Sequence, residues 1–121
     1  MKEEIILDRK SDVELTYWIG ENANDNWTCI DKANQNDIWF HLADHPSAHV
    51  ILRLSQEDKL TVKRIAKQTL IHCAQQCKLH SKFADISAKN KMKVIYTEIK
   101  NVTKADKPGS VFTKKEQYLY V

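Results

Sequence analysis

The stretch "DIWFHLADHPSAHVILR", residues 37–53, decides how this chain folds, because two apolar runs flank a short polar turn and a histidine stands on each side of it. In the first run Ile38, Phe40 and Leu42 share one strand face and Asp37, Trp39 and His41 the other. In the second, Ala48, Val50 and Leu52 oppose His49, Ile51 and Arg53. Directly opposed residues of an antiparallel pair project to the same face, so matching the apolar faces across a turn at 43–47 fixes the register. Leu42 then meets Ala48, Phe40 meets Val50 and Ile38 meets Leu52. On the other face His41 meets His49, Trp39 meets Ile51, and Asp37 meets the opposite charge of Arg53.

Working outward, the chain from Ile5 reads strand, turn, strand, with Val13, Leu15, Tyr17 and Ile19 alternating against Glu14, Thr16 and Trp18 up to Gly20. The asparagine-rich segment that follows has no long apolar period and predicts a loop with at most a short helix around Trp27 to Ala33. Thr61 can cap a helix running to about Leu79, with Val62, Ile65, Ala66, Leu70, Cys73 and Cys77 on its buried side. The C-terminal part predicts a strand "KVIYTEIKNV", a turn at Lys107-Pro108-Gly109, and a strand "SVFTKKEQYLYV". The sum is an α+β fold: an antiparallel sheet of about six strands with one principal helix packed on one face.

The 121 residues suit one domain spanning 1–121. The run Ile5-Ile6-Leu7 is closed by Asp8-Arg9-Lys10, so neither a signal peptide nor a membrane span is expected, and a cytoplasmic protein is. Cys29, Cys73 and Cys77 form an odd set without a C-x-x-C pair, which suits a reducing compartment. Cys73 and Cys77 share a helix face and read as small buried hydrophobes ahead of a metal or redox pair.

A net charge of +3 conceals an asymmetry. Residues 1–60 carry 6 basic and 12 acidic side chains, residues 61–77 carry 3 and 0, and residues 78–121 carry 10 and 4. A basic half can face phosphate, since clustered lysines release counterions that a uniform charge would not; it can equally be a solvated surface.

The order of short motifs resembles the NFACT RNA-binding domain, the C-terminal module of proteins that handle stalled ribosomal subunits, which also occurs in short standalone proteins. The residues that carry the resemblance are Gly20 with Asn26, then Asp37, Trp39, Phe40 and His41 in "DIWFH", His49 and Val50 in "SAHVILR", Ser81-Lys82, "VIYT", Val102, Lys104, Pro108-Gly109 and Val111. Two positions depart from the family pattern. Pro46-Ser47-Ala48-His49 stands where many members have Pro-Gly-Ser-His, and Trp27 follows Asn26 where an acidic residue is commoner. Nothing matches the family's other domains, so activities that need them are not carried over.

With the charge asymmetry and the strand faces, the resemblance leads to the expectation of a non-enzymatic module that binds ribosomal or transfer RNA through Arg53, Lys63, Arg64, Lys67, Lys82, Lys100, Lys104 and Lys107, with His41 and His49 at the edge of the footprint and Trp39 stacking on an unpaired base if its face is open. Ribosomal proteins are a further class of partner. No cofactor is implied. The alternatives are an adaptor that uses the acidic half against a basic protein, and a metal-dependent hydrolase at the His41, Asp44, His45 and His49 turn. Against catalysis, there is no G-x-S-x-G, no phosphate-cradling glycine loop and no paired acids at helical spacing, and the chain has only two glycines. Two facing imidazoles should resist being charged together, which predicts a turn that responds to pH between about 5 and 7.

Overall fold

The computed structural model describes residues 1–54, 59–81 and 90–121. Strands β1 (Lys2–Asp8) and β2 (Val13–Ile19) form a hairpin, followed by helix α1 (Ala23–Lys32) and by strands β3 (Ile38–Leu42) and β4 (Val50–Leu52). A 3-10 turn (Val62–Arg64) precedes helix α2 (Lys67–Leu79); strands β5 (Lys93–Glu98) and β6 (Val102–Lys104), joined by a second 3-10 turn (Ile99–Asn101), and strands β7 (Val111–Thr113) and β8 (Gln117–Tyr120) complete the described elements. One antiparallel sheet has the order β1-β2-β4-β3-β5-β8, and β6 and β7 make a separate two-stranded hairpin. The β3–β4 register pairs Ile38 with Leu52, Trp39 with Ile51 and Phe40 with Val50, as the alternation of residues 37–53 requires.

Alternation puts Leu15, Tyr17, Ile38, Phe40, Leu42, Val50 and Leu52 on one face, where they meet Leu70, Cys73, Ala74 and Cys77 of α2 in the main core. The other face is not open. Trp18, Trp39 and Ile51 pack there beneath Cys29 and Ile30 of α1, with Val102 and Val111 of the β6–β7 hairpin at the margin. The sheet is therefore covered on both sides, on one by the expected principal helix and on the other by α1 and the β6–β7 hairpin, which sequence periodicity resolved poorly. All three cysteines are buried thiols, and burial pushes the Cys29 thiol up to about 11.

Three local expectations need correction. Thr61 caps only the 3-10 turn and makes no side-chain cap bond; the chain turns extended at Ile65 and Ala66 before α2 begins. The cap of α2 comes from Asp8 at the end of β1, whose Oδ1 accepts from the Ala66 N–H at 2.8 Å and the Thr69 hydroxyl at 2.7 Å. Its Oδ2 accepts from the Ser11 N–H and hydroxyl. Burial alone would raise the Asp8 pKa, but these donors outweigh it and hold the carboxylate below its ordinary value. α1 starts earlier than the expected short helix, because the Asn22 side chain accepts from the Asp25 N–H and so serves as its N-cap.

The two long C-terminal strands are each broken. After Glu98 the backbone leaves the ladder as Ile99 N–H donates to the Asp37 carbonyl and Lys100 N–H to the Gln35 carbonyl. Between β7 and β8, Lys115 takes a left-handed φ of 54°. Thr97 bridges the two breaks, receiving the Asn101 amide and donating to the Lys114 carbonyl. Among the described residues no helix is long and apolar enough to cross a membrane.

Candidate nucleic-acid interface

The histidine pair of the opening stretch sits where the sheet, both helices and the β6–β7 hairpin loop meet. Trp39 donates its indole N–H to His49 Nδ1 at 3.0 Å. An indole is only a donor, so Nδ1 of His49 is unprotonated and the proton of the neutral ring lies on Nε2, which faces the backbone of Gly109. His41 lies parallel to Trp39, with ring centroids 5.7 Å apart, and edge-on to His49 at 5.0 Å. Its Nδ1 reaches the Leu42 carbonyl at 2.5 Å, so this nitrogen carries the hydrogen and Nε2 remains an acceptor.

The surrounding backbone is locked to this trio. Asn26 of α1 accepts the His49 N–H through Oδ1 at 3.2 Å, and the Gly20 N–H donates to the His49 carbonyl at 2.9 Å. A Cβ at Gly20 would stand 1.8 Å from Asn26 Oδ1, so glycine is required by the close approach of α1. Gly109 has a φ of +85°, and a Cβ there would also crowd the Cα and Cβ of Ala23 at 3.1 Å. The loop is pinned from its other side by the Trp27 indole, which donates to the Ser110 carbonyl at 3.1 Å.

A cleft of about 560 Å³ opens here, lined by Asn22, Asn26, His41, His49, Ser47 and Gly109 among others. A hollow of about 470 Å³ continues it over the sheet, sharing His41, Pro46, His49 and Gly109 and reaching Ile95 and Val111. Among the described residues the lining of the first cleft includes one carboxylate, Glu21, and no lysine or arginine. Its chemistry is that of a polar slot with one carboxylate at its edge: imidazole and amide groups that can exchange hydrogen bonds with a base edge or a sugar hydroxyl.

The expectation that the pair titrates between about 5 and 7 is corrected by burial. Removal from water, with a smaller contribution from the neighbouring His41, holds the His49 pKa down to about 3 against the opposing Gly109 backbone. Burial also lowers His41, against the Leu42 carbonyl. Trp39 lines the floor of the second hollow but is only 2% exposed beneath the roof of that face, so its ring supports the histidines and presents little surface to a base. Among the described residues no three His, Cys, Asp or Glu side chains group closely enough to hold a metal ion, and Asp44 and His45 stand exposed in the turn.

The basic residues divide by location. Lys107 directly precedes the Pro108-Gly109 edge of the cleft and makes no ion pair among the described residues. Lys104, in the same hairpin, lies 5.3 Å from the Trp27 ring centroid and 2.5 Å from Asp31. Arg53 is committed elsewhere: Nε meets Asp37 at 2.6 Å and the guanidinium lies 4.0 Å over Trp18. Asp37 is fully buried and also accepts the Asn34 and Leu54 N–H groups. Lys100 pairs with Glu98 at 3.2 Å. Lys63, Arg64 and Lys67 are exposed where α2 begins, about 18 Å along the helix from its cleft end at a rise of 1.5 Å per residue. Lys82 lies outside the described residues.

Sequence comparison supplies independent context. The chain is 32% identical over 110 residues to "Rqc2 homolog RqcH" of Bacillus subtilis, covering 88% of this chain and 17% of that protein. It is 34% identical over 89 residues to the coiled-coil domain-containing protein 25 of Mus musculus, covering 74% of this chain and 41% of that one. The C-terminal structure of the fibronectin/fibrinogen-binding protein from Streptococcus suis superimposes with a TM-score of 0.77 at 23% identity, over 100% of this chain and 45% of that one, which shows a shared fold. This chain thus spans less than half the length of these relatives. The family described as "NFACT protein RNA binding domain" matches residues 7–116, and the chain, with its cleft built from the motif residues Gly20, Asn26, His41, His49, Pro108 and Gly109, belongs to that family.

Proposed function

We propose that this chain is a non-enzymatic RNA-binding module that contacts ribosomal or transfer RNA during translation quality control in the cytoplasm. The observation that carries the proposal is the meeting, in one open cleft, of the residues that make the chain a family member, with Lys107 at its rim. The polar slot would take a base edge or a 2′-hydroxyl, and Lys104 and Lys107 on the hairpin would hold the flanking phosphates. Family membership and the similarity to a protein named as an Rqc2 homologue support the pathway.

A second class of contact, with a basic ribosomal protein, is favoured by the β1 edge, where Ile5 and Leu7 are exposed beside Glu3 in the acidic half of the chain. Titration of ribosomal RNA fragments and transfer RNA across a range of salt distinguishes the two. RNA binding predicts a log–log slope of about −0.7 for each phosphate held on a single strand. Absence of RNA retention even at low salt, with retention of a basic ribosomal protein, refutes the RNA reading.

A further inference from the structure

The sheet face that carries the histidine cleft is only partly roofed. α1 and the β6–β7 hairpin cover Trp18, Trp39 and Ile51, with Ile95 at the margin of that packing. Beyond Ile95 lies β8, whose register sets Tyr118 opposite Ile95 and Tyr120 opposite Lys93. Both tyrosines therefore project on the cleft side, while Leu119 between them packs against the main core. The fold makes little use of either ring: Tyr118 is 46% and Tyr120 62% exposed.

Lys93 stands on this strip, within a basic segment of the chain. The Lys93 ammonium lies 4.1 Å from the Tyr118 ring centroid, so a cation covers one side of the ring. Residues 90–121 contain seven lysines against three carboxylates. Lys100 is paired with Glu98 and Lys104 with Asp31, which leaves five lysines of this segment against Asp106 and Glu116, the latter accepting from the Thr113 and Tyr118 hydroxyls.

The spacing suits a chain of nucleotides. Tyr118 and Tyr120 are two residues apart on one strand face, about 7 Å at the usual strand rise. His41 and Tyr118 flank Ile95 on either side, two strand spacings or about 10 Å across the sheet. Aromatic rings accept any base because every base has a π-face, and adjacent lysines then hold the backbone.

We infer that Tyr118 and Tyr120 form a stacking platform for successive unpaired bases of a single-stranded RNA that continues from the histidine cleft, with Lys93 beside the connecting phosphate. The inference rests on the proposed RNA binding and adds to it a site, a strand state and a direction across the sheet. Because the platform reads π-faces and not base edges, it should show little sequence preference.

The test compares a short single-stranded oligouridylate with an abasic oligomer of the same length, which keeps the phosphates and lacks the bases. Wild type should prefer the base-bearing oligomer. Tyr118→Ala and Tyr120→Ala should each weaken oligouridylate binding by about fivefold or more and leave abasic binding unchanged. Tyr118→Phe and Tyr120→Phe should bind as wild type, since the ring is retained. Lys93→Gln should weaken both ligands. If the alanine variants bind oligouridylate as wild type, or lose both oligomers equally, the platform is refuted and the proposed RNA binding stands. If wild type binds neither oligomer at low salt while it retains ribosomal RNA fragments or transfer RNA, the platform alone is refuted; if it retains none of these, the RNA-binding reading fails with it.

Discussion

Trp39 donates its indole N–H to Nδ1 of His49 at 3.0 Å, and both side chains are 2% exposed. One buried donor thereby sets the tautomer of one buried acceptor, directing the other ring nitrogen to the hairpin loop that closes the cleft. Replacing Trp39 by Phe keeps an aromatic ring but leaves His49 Nδ1 without its partner. We expect a loss of about 1–3 kcal/mol in chemical denaturation. An NMR titration of the His49 ring nitrogens should show Nε2–H alone in wild type; a mixture of tautomers would contradict the geometry.

The same burial gives the protein a signed pH dependence. The ordinary histidine value is about 6.5 and the folded His49 value about 3, so between these limits the unfolded chain binds the proton that the folded chain refuses. Stability is intact above about 6.5 and falls on acidification toward about 3, with a slope of at most about 1.4 kcal/mol per pH unit from this residue. His49→Gln should flatten that part of the profile in urea titrations. A wild-type profile that is already flat across this window would show that the imidazole is solvated. It follows that His49 contributes no charge to phosphate binding near neutrality.

Gly20→Ala tests the cleft without touching a charge. Its Cβ would require Asn26 Oδ1 to move from 1.8 Å, and Asn26 is the acceptor for the His49 N–H. RNA affinity should fall while the salt slope stays as in wild type, because no phosphate contact is removed. An unchanged affinity, measured on a folded variant, would separate this cleft from RNA binding.

Asp8→Ala removes the acceptor that joins the β1–β2 turn to the start of α2. It strands the buried Ala66 N–H and Thr69 hydroxyl, and a loss of about 2–5 kcal/mol is expected on thermal or urea unfolding. The Asp8 contribution should itself vanish as pH falls through its lowered folded value, since burial is outweighed there by the hydrogen bonds that favour the charged form. A variant as stable as wild type would mean that water replaces the carboxylate.

The parts of the fold that were legible in the sequence are those governed by local alternation. The register of Ile38 to Phe40 on Val50 to Leu52 follows from face matching, and so does the approach of His41 to His49 and of Asp37 to Arg53. The α2 cap was not legible, because its acceptor Asp8 lies 58 residues before Ala66. Nor was the burial of Trp39, which depends on a roof contributed by α1 and the distant β6–β7 hairpin. One signal was present: Ile38, Trp39 and Phe40 are consecutive and apolar, the pattern of a strand buried on both faces. Periodicity also passed over Tyr118 and Tyr120, since an exposed aromatic pair on an edge strand reads like any half-buried one. The lysines were visible as charge, but chain position alone did not separate Lys107 at the cleft from Lys63, Arg64 and Lys67 at the far end of α2.

The most direct test of RNA binding at the histidine cleft is ultraviolet crosslinking of the whole chain to single-stranded RNA, with the crosslinked residues identified by mass spectrometry. Adducts are expected at His41, at the Lys107-Pro108-Gly109 loop and at Tyr118 or Tyr120, all weakened together by Lys104→Glu with Lys107→Glu. Adducts confined to Lys63, Arg64 and Lys67, or crosslinking undiminished by the two charge reversals, would contradict binding at the cleft.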